Sequence, residues 1–229
     1  MKKILLKLAP VLSILACSLI VARYTGLYGI YSVPTPANEP GLHAGQWKLT
    51  FFWKTAQPGD FVVFKRQIDL FGPEEGVYVF RWCASAGDTV EMRAGDFYVN
   101  GVNQDLGKRL GATYLITQEQ LQQLHQDSLL TKVYPAPSYG PEMRGKFTVD
   151  ITRSYASSQD LEDNRFLQSN GTYEEKFFDD YPKEWGTDFF GPYVVPNHHI
   201  FVLGDNRSSA LDSRLIGPIP QEEIIDVLW

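Results

Sequence analysis

The chain has 229 residues, of which 44% are hydrophobic, so it is long and apolar enough to bury a substantial core rather than remain disordered. Its formal net charge of −6 lacks the basic surplus of proteins that bind nucleic-acid phosphates, and no nucleic-acid partner is expected. Two cysteines, Cys17 and Cys83, are too few for a disulfide scaffold. We expect no metal and no cofactor, because no Cys or His spacing is typical of a metal site and no glycine pattern is typical of nucleotide binding.

The first segment of the chain carries a targeting signal. Lys2, Lys3 and Lys7 precede an apolar run, 8–22, that Arg23 closes. The run is shorter than the roughly 20 residues of a full membrane span, but flanking apolar residues extend it. The positive charges indicate a cytoplasmic N-terminus, so 1–31 is predicted to be a cytoplasmic tip and one transmembrane helix.

Two alternatives remain open for this segment. It is also compatible with a cleaved signal peptide, and Cys17 lies in a sequence that loosely resembles a lipoprotein box. In all three cases the rest of the chain lies outside the cytoplasm. We expect a single-pass protein of the plasma (inner) membrane.

Short strand patterns follow a proline-rich loop at 32–45. Proline disfavours helix, and the Asn100-Gly101 pair is typical of a tight hairpin turn. Frequent short apolar runs indicate a mainly β domain. The predicted strands are Trp47–Trp53, Asp60–Lys65, Val77–Cys83, Thr89–Arg93 and Phe97–Val99.

The middle of the chain, 102–196, is predicted to be an inserted α+β subdomain. Its best helix candidate is 117–127, where Thr117 and Gln120 form a potential capping box and Leu121 and Leu124 form an apolar face. An aromatic-rich segment, 160–192, is expected to pack on the β core. The two flanking ranges, 32–101 and 197–229, would together form that core.

The last part of the chain returns to strand patterns around a polar loop. A strand beginning near His199 leads into the loop 204–214, and another strand pattern covers 223–229. The loop holds two carboxylates, two guanidinium groups and an amide within a few residues of one another. Charge-assisted hydrogen bonds among them are expected to keep the loop rigid.

Four segments, in chain order, resemble the signature boxes of type I signal peptidases, the bacterial form. The first, 34–46, aligns with PSxSMxPTLxxGD. The second and third, 59–64 and 80–88, align with GDxVVF and KRxxGxxGD, and the loop beginning at Gly204 aligns with GDNRxxSxDSRxxG. Members of this family are membrane-anchored serine endopeptidases with a β-rich outer domain. The resemblance therefore implies a signal-peptidase-like β-barrel or sheet domain.

The same alignment places other residues at the positions that perform the reaction. The family's Ser nucleophile, Lys general base and supporting Ser correspond here to Ala37, Phe80 and Ala210. Thr35 falls where the family carries a Ser of the oxyanion hole, and is a candidate oxyanion or peptide-binding residue. The residues that match the family at loop and turn positions are Gly87, Asp88, Gly204, Asp205, Asn206, Arg207, Asp212, Ser213 and Arg214.

Two functional hypotheses follow from the resemblance. In the first, the protein is a catalytically inactive signal peptidase homologue that binds a signal peptide or another extended peptide of an exported protein and contacts membrane lipid. In this hypothesis its partner is an active signal peptidase or a surface-assembly protein. In the alternative, it is an active endopeptidase with a displaced pair, drawn from Ser32, Ser85, Ser208 and Ser213 with Lys48, Lys65, His198 and His199.

Overall fold

The computed structural model describes most of the chain outside its N-terminus. The described residues are 13, 14, 16–18, 20, 21, 24–51, 53–68, 75–124, 133–136, 143–168, 180–182 and 184–228. The described residues up to 24 are helical. None of the helices in these ranges is long and apolar enough to cross a membrane. The predicted anchor, 1–31, lies partly outside the described residues and stays a prediction.

Strands dominate the described residues, and short helices connect them. The strands are β1 (Tyr28–Ser32), β2 (Trp47–Phe51), β3 (Phe61–Gln67), β4 (Glu75–Ser85), β5 (Thr89–Arg93), β6 (Asp96–Val99), β7 (Val102–Asn103), β8 (Gly111–Ile116), β9 (Val133–Pro135), β10 (Phe147–Thr152), β11 (Phe190–Val194), β12 (His199–Leu203), β13 (Ile219–Pro220) and β14 (Ile224–Leu228). After residue 24, the described helices are α1 (Gln118–Leu124), α2 (Arg153–Ser158) and α3 (Ser213–Ile216). Among the described residues, 3₁₀ turns cover Pro36–Asn38, Glu162–Asn164 and Gln221–Glu223. The prediction of a mainly β chain is confirmed.

These strands form antiparallel sheets. The central sheet has the order β13-β12-β4-β3-β14, and a two-stranded sheet joins β1 to β2. A third sheet has the order β8-β10-β9 and lies within the predicted insert. The fourth, β11-β5-β6-β7, takes strands from both sides of residue 101, so the hairpin and the end of the insert share one sheet. The division of the chain at 101 and 196 stays a prediction.

Local sequence signals explain several of these elements. Asn100 and Gly101 have φ values of 50° and 80° between β6 and β7, the left-handed pair that a tight hairpin needs. The capping box of α1 is present, because the Thr117 amide donates to Gln120 Oε1 and the Gln120 amide donates to Thr117 Oγ1. Leu121 and Leu124 are buried, as predicted. The predicted residues 125–127 of this helix lie outside the described ranges.

The aromatic segment of the insert packs on the β core. Tyr181 and Phe190 are buried in one cluster with Phe97 and Phe201. The rings of Phe190 and Phe201 have centroids 5.7 Å apart, and those of Tyr181 and Phe190 meet edge to face at 4.8 Å. Aromatic pairs at such distances stabilise the fold by more than the burial of their apolar area alone. For the described part of 160–192 this confirms the predicted packing.

Candidate functional site

The polar loop 204–214 joins separate parts of the fold through its ion pairs. Arg81 on β4 forms a fork with Asp205, with Nε–Oδ1 and Nη2–Oδ2 distances of 2.7 and 2.6 Å. Arg207 forms a second fork with Asp105, at 2.9 and 2.7 Å. The sequence suggested that the acidic and basic groups of the loop satisfy one another. Two of its three ion pairs instead reach partners outside the loop.

The third ion pair lies within the loop. Arg214 Nε donates to Asp212 Oδ1 at 2.8 Å and Nη2 donates to Asp212 Oδ2 at 2.8 Å, with both side chains fully buried. Burial alone lowers the pKa of Arg214, but the charge and hydrogen bonds of Asp212 hold that pKa above its ordinary value. Arg214 also donates to the carbonyls of Thr187 and Arg207. The guanidinium therefore stays charged and fixes the loop beneath the site.

Two further hydrogen bonds hold the loop against the sheet and the insert. The Val202 amide donates to Ser213 Oγ at 2.9 Å, and Tyr181 Oη donates to the Ser213 carbonyl at 3.0 Å. The Gly204 amide donates to Asp212 Oδ2. Burial is the main cause that raises the pKa of Tyr181, so this phenol keeps its proton. The loop is thus held by neutral groups as well as by ion pairs.

The three positions that correspond to the family's reacting groups meet in one buried cluster. Ala37, Phe80 and Ala210 are 6%, 5% and 9% exposed and belong to the same apolar core. Gly204 lies between two of them, since a Cβ there would overlap the Ala37 carbonyl and the Ala210 methyl group. The Asn206 amide donates to the Ala37 carbonyl at 3.0 Å. These three residues come from segments far apart in the sequence and share one buried cluster.

The buried residues of this cluster carry no hydroxyl and no basic group. Phe80 packs against Phe64, with ring centroids 6.2 Å apart, and Val62 and Ile200 belong to the same cluster. A Ser–Lys pair needs a hydroxyl within hydrogen-bond reach of an amine of lowered pKa. Alanine and phenylalanine side chains supply neither group, so the positions that converge cannot perform nucleophilic attack by themselves.

A cleft of about 420 Å³ lies beside the cluster. We define it by its lining residues, which come from β1 and the loop after it, from β2, and from the first half of β4: Ile30, Tyr31, Ser32, Val33, Pro34, Thr35, Asn38, Trp47, Val77, Tyr78, Val79 and Phe80. Thr35 is exposed on this lining, and its side chain caps no amide of the 3₁₀ turn that follows it. It is therefore available to a bound molecule.

One edge of β4 is open along the cleft. The Trp82 amide donates to the Asp60 carbonyl, so in a regular ladder the even-numbered residues of β4 bond toward β3. The main-chain groups of Val77 and Val79 then point to the opposite edge. β12 pairs with this edge of β4 only at residues 81–85. Among the described strands, none pairs with the same edge of β4 before residue 81. The cleft thus offers a sheet edge to an extended peptide.

Asn38 is a cleft residue that sequence reasoning missed. Its side chain is buried at 3% exposure, Nδ2 donates to the Val79 carbonyl at 2.7 Å, and Oδ1 is buried without a hydrogen-bond partner. The family pattern has Met at this position, so the available signal was a polar residue in place of an apolar one. Asn38 joins the turn that carries Ala37 to the open edge of β4.

Gly87 and Asp88 lie apart from this cluster, at the turn between β4 and β5. Gly87 has a φ of 85°, which favours glycine. Asp88 accepts a hydrogen bond from the Ser85 amide at 2.8 Å and another from Asn100 Nδ2 at 2.8 Å. Their contacts join two turns of the β core. Within the structure they serve the shape of the domain rather than the lining of the cleft.

Three of the serines considered as displaced nucleophiles accept hydrogen bonds elsewhere. Ser85 Oγ accepts from Trp82 Nε1, Ser208 Oγ from the Thr113 amide, and Ser213 Oγ from the Val202 amide. The fourth, Ser32, lines the cleft. His199 begins β12, as the sequence predicted, and its Nδ1 lies 2.8 Å from the Asn197 carbonyl. In the described ranges no group of three or more His, Cys, Asp or Glu residues is placed to hold a metal ion.

Comparison with known proteins gives consistent matches. A region of the thylakoidal processing peptidase 1 of Arabidopsis thaliana is 32% identical over 85% of this chain, and the chain spans 38% of that protein's length. Signal peptidase I of Aquifex aeolicus is 27% identical over 85% of this chain and 71% of its own. A crystal structure of a signal peptidase I from Enterococcus faecalis matches 77% of this chain and 98% of its own, at 21% identity and a TM-score of 0.32.

A protein-family model also matches this chain. Residues 5–228 match the model described as signal peptidase, peptidase S26. This range includes nearly the whole chain, with the loop, the cleft and the predicted insert. The chain therefore belongs to the signal peptidase family, peptidase S26.

Proposed function

We propose that this protein is a catalytically inactive signal peptidase homologue that binds a signal peptide, or a similar extended segment of an exported protein, without cutting it. The observation that supports this most directly is the apolar cluster of Ala37, Phe80 and Ala210. The family's reaction needs a hydroxyl and an amine at these positions, and this chain has neither group there. Donors such as Thr35 would leave only residual transition-state stabilisation.

The cleft is the proposed binding site for the peptide. An extended peptide that lies along β4 would pair with the amide and carbonyl of Val77 and with the amide of Val79, while the Val79 carbonyl is already bonded to Asn38. Phe80 and Val77 give the cleft an apolar floor and rim. Small side chains, as in the Ala-Xaa-Ala motif of signal peptides, would fit such a shallow lining.

The experiment measures binding and cleavage on the same purified full-length chain in detergent. The probe is a fluorescent synthetic signal peptide that contains Ala-Xaa-Ala, and its anisotropy reports binding while mass spectrometry reports cleavage. We expect saturable binding and no product after long incubation. Sustained turnover that Ser32→Ala abolishes would instead establish the displaced-pair alternative.

A matched pair of variants locates the binding. Thr35→Trp fills the cleft from an exposed lining position, whereas Thr55→Trp makes the same change at an exposed residue that does not line it. We expect the first to weaken peptide binding about tenfold or more, as loss of a well-packed contact does, and the second to leave binding unchanged. Equal effects of the two variants would contradict the location.

We also propose that the β1–β2 face next to the cleft contacts membrane lipid. Ile30, Trp47 and Leu49 lie on one face of this sheet, and Trp47 is 71% exposed. Contiguous exposed apolar side chains of this kind are typical of interaction surfaces. Phe51 and Trp53, whose rings stack at 4.5 Å, follow directly, whereas Phe52 lies outside the described ranges. Trp47→Ser is expected to lower the binding of the chain to phospholipid vesicles, and unchanged binding would contradict this contact.

A further inference from the structure

We infer that a second cavity, on the other side of the turn that carries Ala37, binds the part of the peptide that follows its Ala-Xaa-Ala motif. This inference rests on the proposed function, because it concerns the same bound chain. It adds a binding site for a second peptide segment and makes the cleft one half of a longer surface.

The second cavity lies between the β core and the insert. It has a volume of about 280 Å³. The core contributes the residues around the turn and the polar loop, and the insert contributes the start of β8 and the end of β10. Its lining residues are Pro36, Glu39, Pro40, His43, Ala44, Arg109, Gly111, Asp150, Ile151, Thr152 and Asn206.

The 3₁₀ turn Pro36–Asn38 separates the two cavities. Thr35 and Asn38 line the cleft, whereas Pro36 and Glu39 line the second cavity. Ala37, the nucleophile position of the family alignment, lies within this turn. In an endopeptidase, the nucleophile attacks a carbonyl that has peptide on both sides of it. A peptide placed against Ala37 therefore needs room on each side of the turn, and the two cavities provide it.

The second cavity has unused hydrogen-bonding capacity on its wall. Asn206 is 4% exposed, and its Oδ1 is buried without a hydrogen-bond partner, which is costly for a protein interior unless something else satisfies it. The neighbouring Gly111 leaves space, since a Cβ there would come within 3.3 Å of Asn206 Oδ1 and 3.2 Å of the Glu39 carbonyl. A peptide amide is a donor of the kind that this carboxamide lacks.

The charged groups on the wall differ in how far they are already engaged. Glu39 Oε1 accepts from the Ala44 amide, and both carboxylate oxygens of Asp150 accept hydroxyl hydrogen bonds from Thr113 and Ser209. Arg109 is exposed, and the described part of the chain gives it no ion pair. The cavity thus combines proline and alanine walls with a carboxamide and a cationic rim, a lining suited to an extended peptide segment rather than to a metal or a nucleotide.

The test compares two synthetic peptides on the full-length chain. The short probe ends, as a C-terminal amide, at Ala-Xaa-Ala, and the long probe continues for about six residues, which extend roughly 20 Å. Ala44→Trp fills the second cavity from an exposed position, and Ala86→Trp is its matched control at an exposed residue that lines neither cavity. Anisotropy titration gives the Kd of each probe for each variant.

We expect the long probe to bind the unmodified chain about tenfold more tightly than the short one. Ala44→Trp should remove this difference and leave the Kd of the short probe unchanged, and Ala86→Trp should change neither value. Equal Kd values for the two probes on the unmodified chain, or a difference that survives Ala44→Trp, would overturn the inference alone. If neither probe binds at all, the proposed function fails with it.

Discussion

Arg207 and Asp105 lie far apart in sequence and meet in a buried two-bond fork at 2.9 and 2.7 Å, with each side chain 2% exposed. The pair joins the polar loop to the segment that follows the β6–β7 hairpin. Asp105 also lies 3.2 Å from Arg153 at the start of α2, and it accepts from the Phe97 amide. One carboxylate therefore connects the loop, the hairpin and the insert.

Removing the charge of Asp105 is expected to destabilise the whole fold. Asp105→Asn keeps the shape of the side chain but leaves the buried guanidinium group of Arg207 without its anion, which costs about 3–5 kcal/mol of unfolding free energy. Glu91→Gln is the control, because it breaks the Arg93–Glu91 pair, in which Arg93 is 52% exposed, at a cost below about 1 kcal/mol. Urea unfolding followed by circular dichroism measures both, and equal effects would show that the buried fork carries no special role.

The hydroxyl of Ser213 is expected to matter for stability rather than for chemistry. Ser213→Ala leaves the buried Val202 amide without its acceptor, which costs about 1–3 kcal/mol. Ser209→Ala, at an exposed position whose hydroxyl makes a long bond of 3.4 Å to Asp150, should cost much less. Peptide affinity, measured well below the unfolding temperature, should be the same for both variants. A selective loss of affinity in Ser213→Ala would place Ser213 in the binding machinery.

Restoring the family's reacting groups is expected to require all three positions together. Ala37→Ser alone supplies a nucleophile without a base, so it should leave signal-peptide cleavage at background. The triple variant Ala37→Ser, Phe80→Lys, Ala210→Ser supplies both groups, and burial among apolar residues would lower the pKa of the new lysine toward that of a working base. We expect peptide cleavage by the triple variant, detected by mass spectrometry. Cleavage by Ala37→Ser alone would contradict the assignment of position 80 to the base.

The thiol of Cys83 gives a prediction for pH dependence. Burial is the main cause that raises the pKa of Cys83 from 9.0 to about 11. In a Cys17→Ser background, alkylation by iodoacetamide should follow the Cys83 thiolate and therefore rise toward a midpoint near pH 11. A midpoint near pH 8.5, typical of an unperturbed thiol, would contradict this environment.

The raised pKa of Cys83 also determines how the free energy of unfolding changes with pH. Because the folded state holds the Cys83 proton more tightly than the unfolded state, the associated stability is fully present below pH 9.0 and is lost as pH rises toward about 11. Replacing the thiol by Cys83→Ala should flatten this part of the pH profile of unfolding free energy. The comparison is made in urea between pH 8 and pH 10.5.

The sequence predicted local structure better than long-range partnership. Alternating apolar residues located β3, β4, β5 and β12, and the Asn100-Gly101 pair located a hairpin, because these signals act over a few residues. The alignment assigned Ala37, Phe80 and Ala210 to one site, which stays a prediction, and the structure contains all three in one buried cluster. The alignment could not show that Asp205 forms its ion pair with Arg81 rather than with Arg207. The sequence does not distinguish a partner within the loop from a partner on another strand.

The second cavity was beyond sequence reasoning for a similar reason. It exists only because the start of β8 lies against the loop, where the Gly111 amide donates to the Asp205 carbonyl and the Arg207 amide donates to the Gly111 carbonyl. Arg109 and Asp150 belong to a range in which no motif stands out. Their placement depends on the contacts between the insert and the polar loop. No short sequence pattern predicts such long-range contacts.

The hydrogen bond between Asn38 and Val79 also affects whether two copies of the protein can aggregate. An exposed strand edge is a template on which a second copy of the same strand can pair, and such pairing leads to aggregation. Asn38 occupies the Val79 carbonyl, and Glu75 places an exposed carboxylate at the start of β4. A second copy of β4 laid along this edge would lose one hydrogen bond and bring two like charges into the growing sheet. The Asn38 side chain that lines the cleft thereby helps to keep the protein from assembling edge to edge.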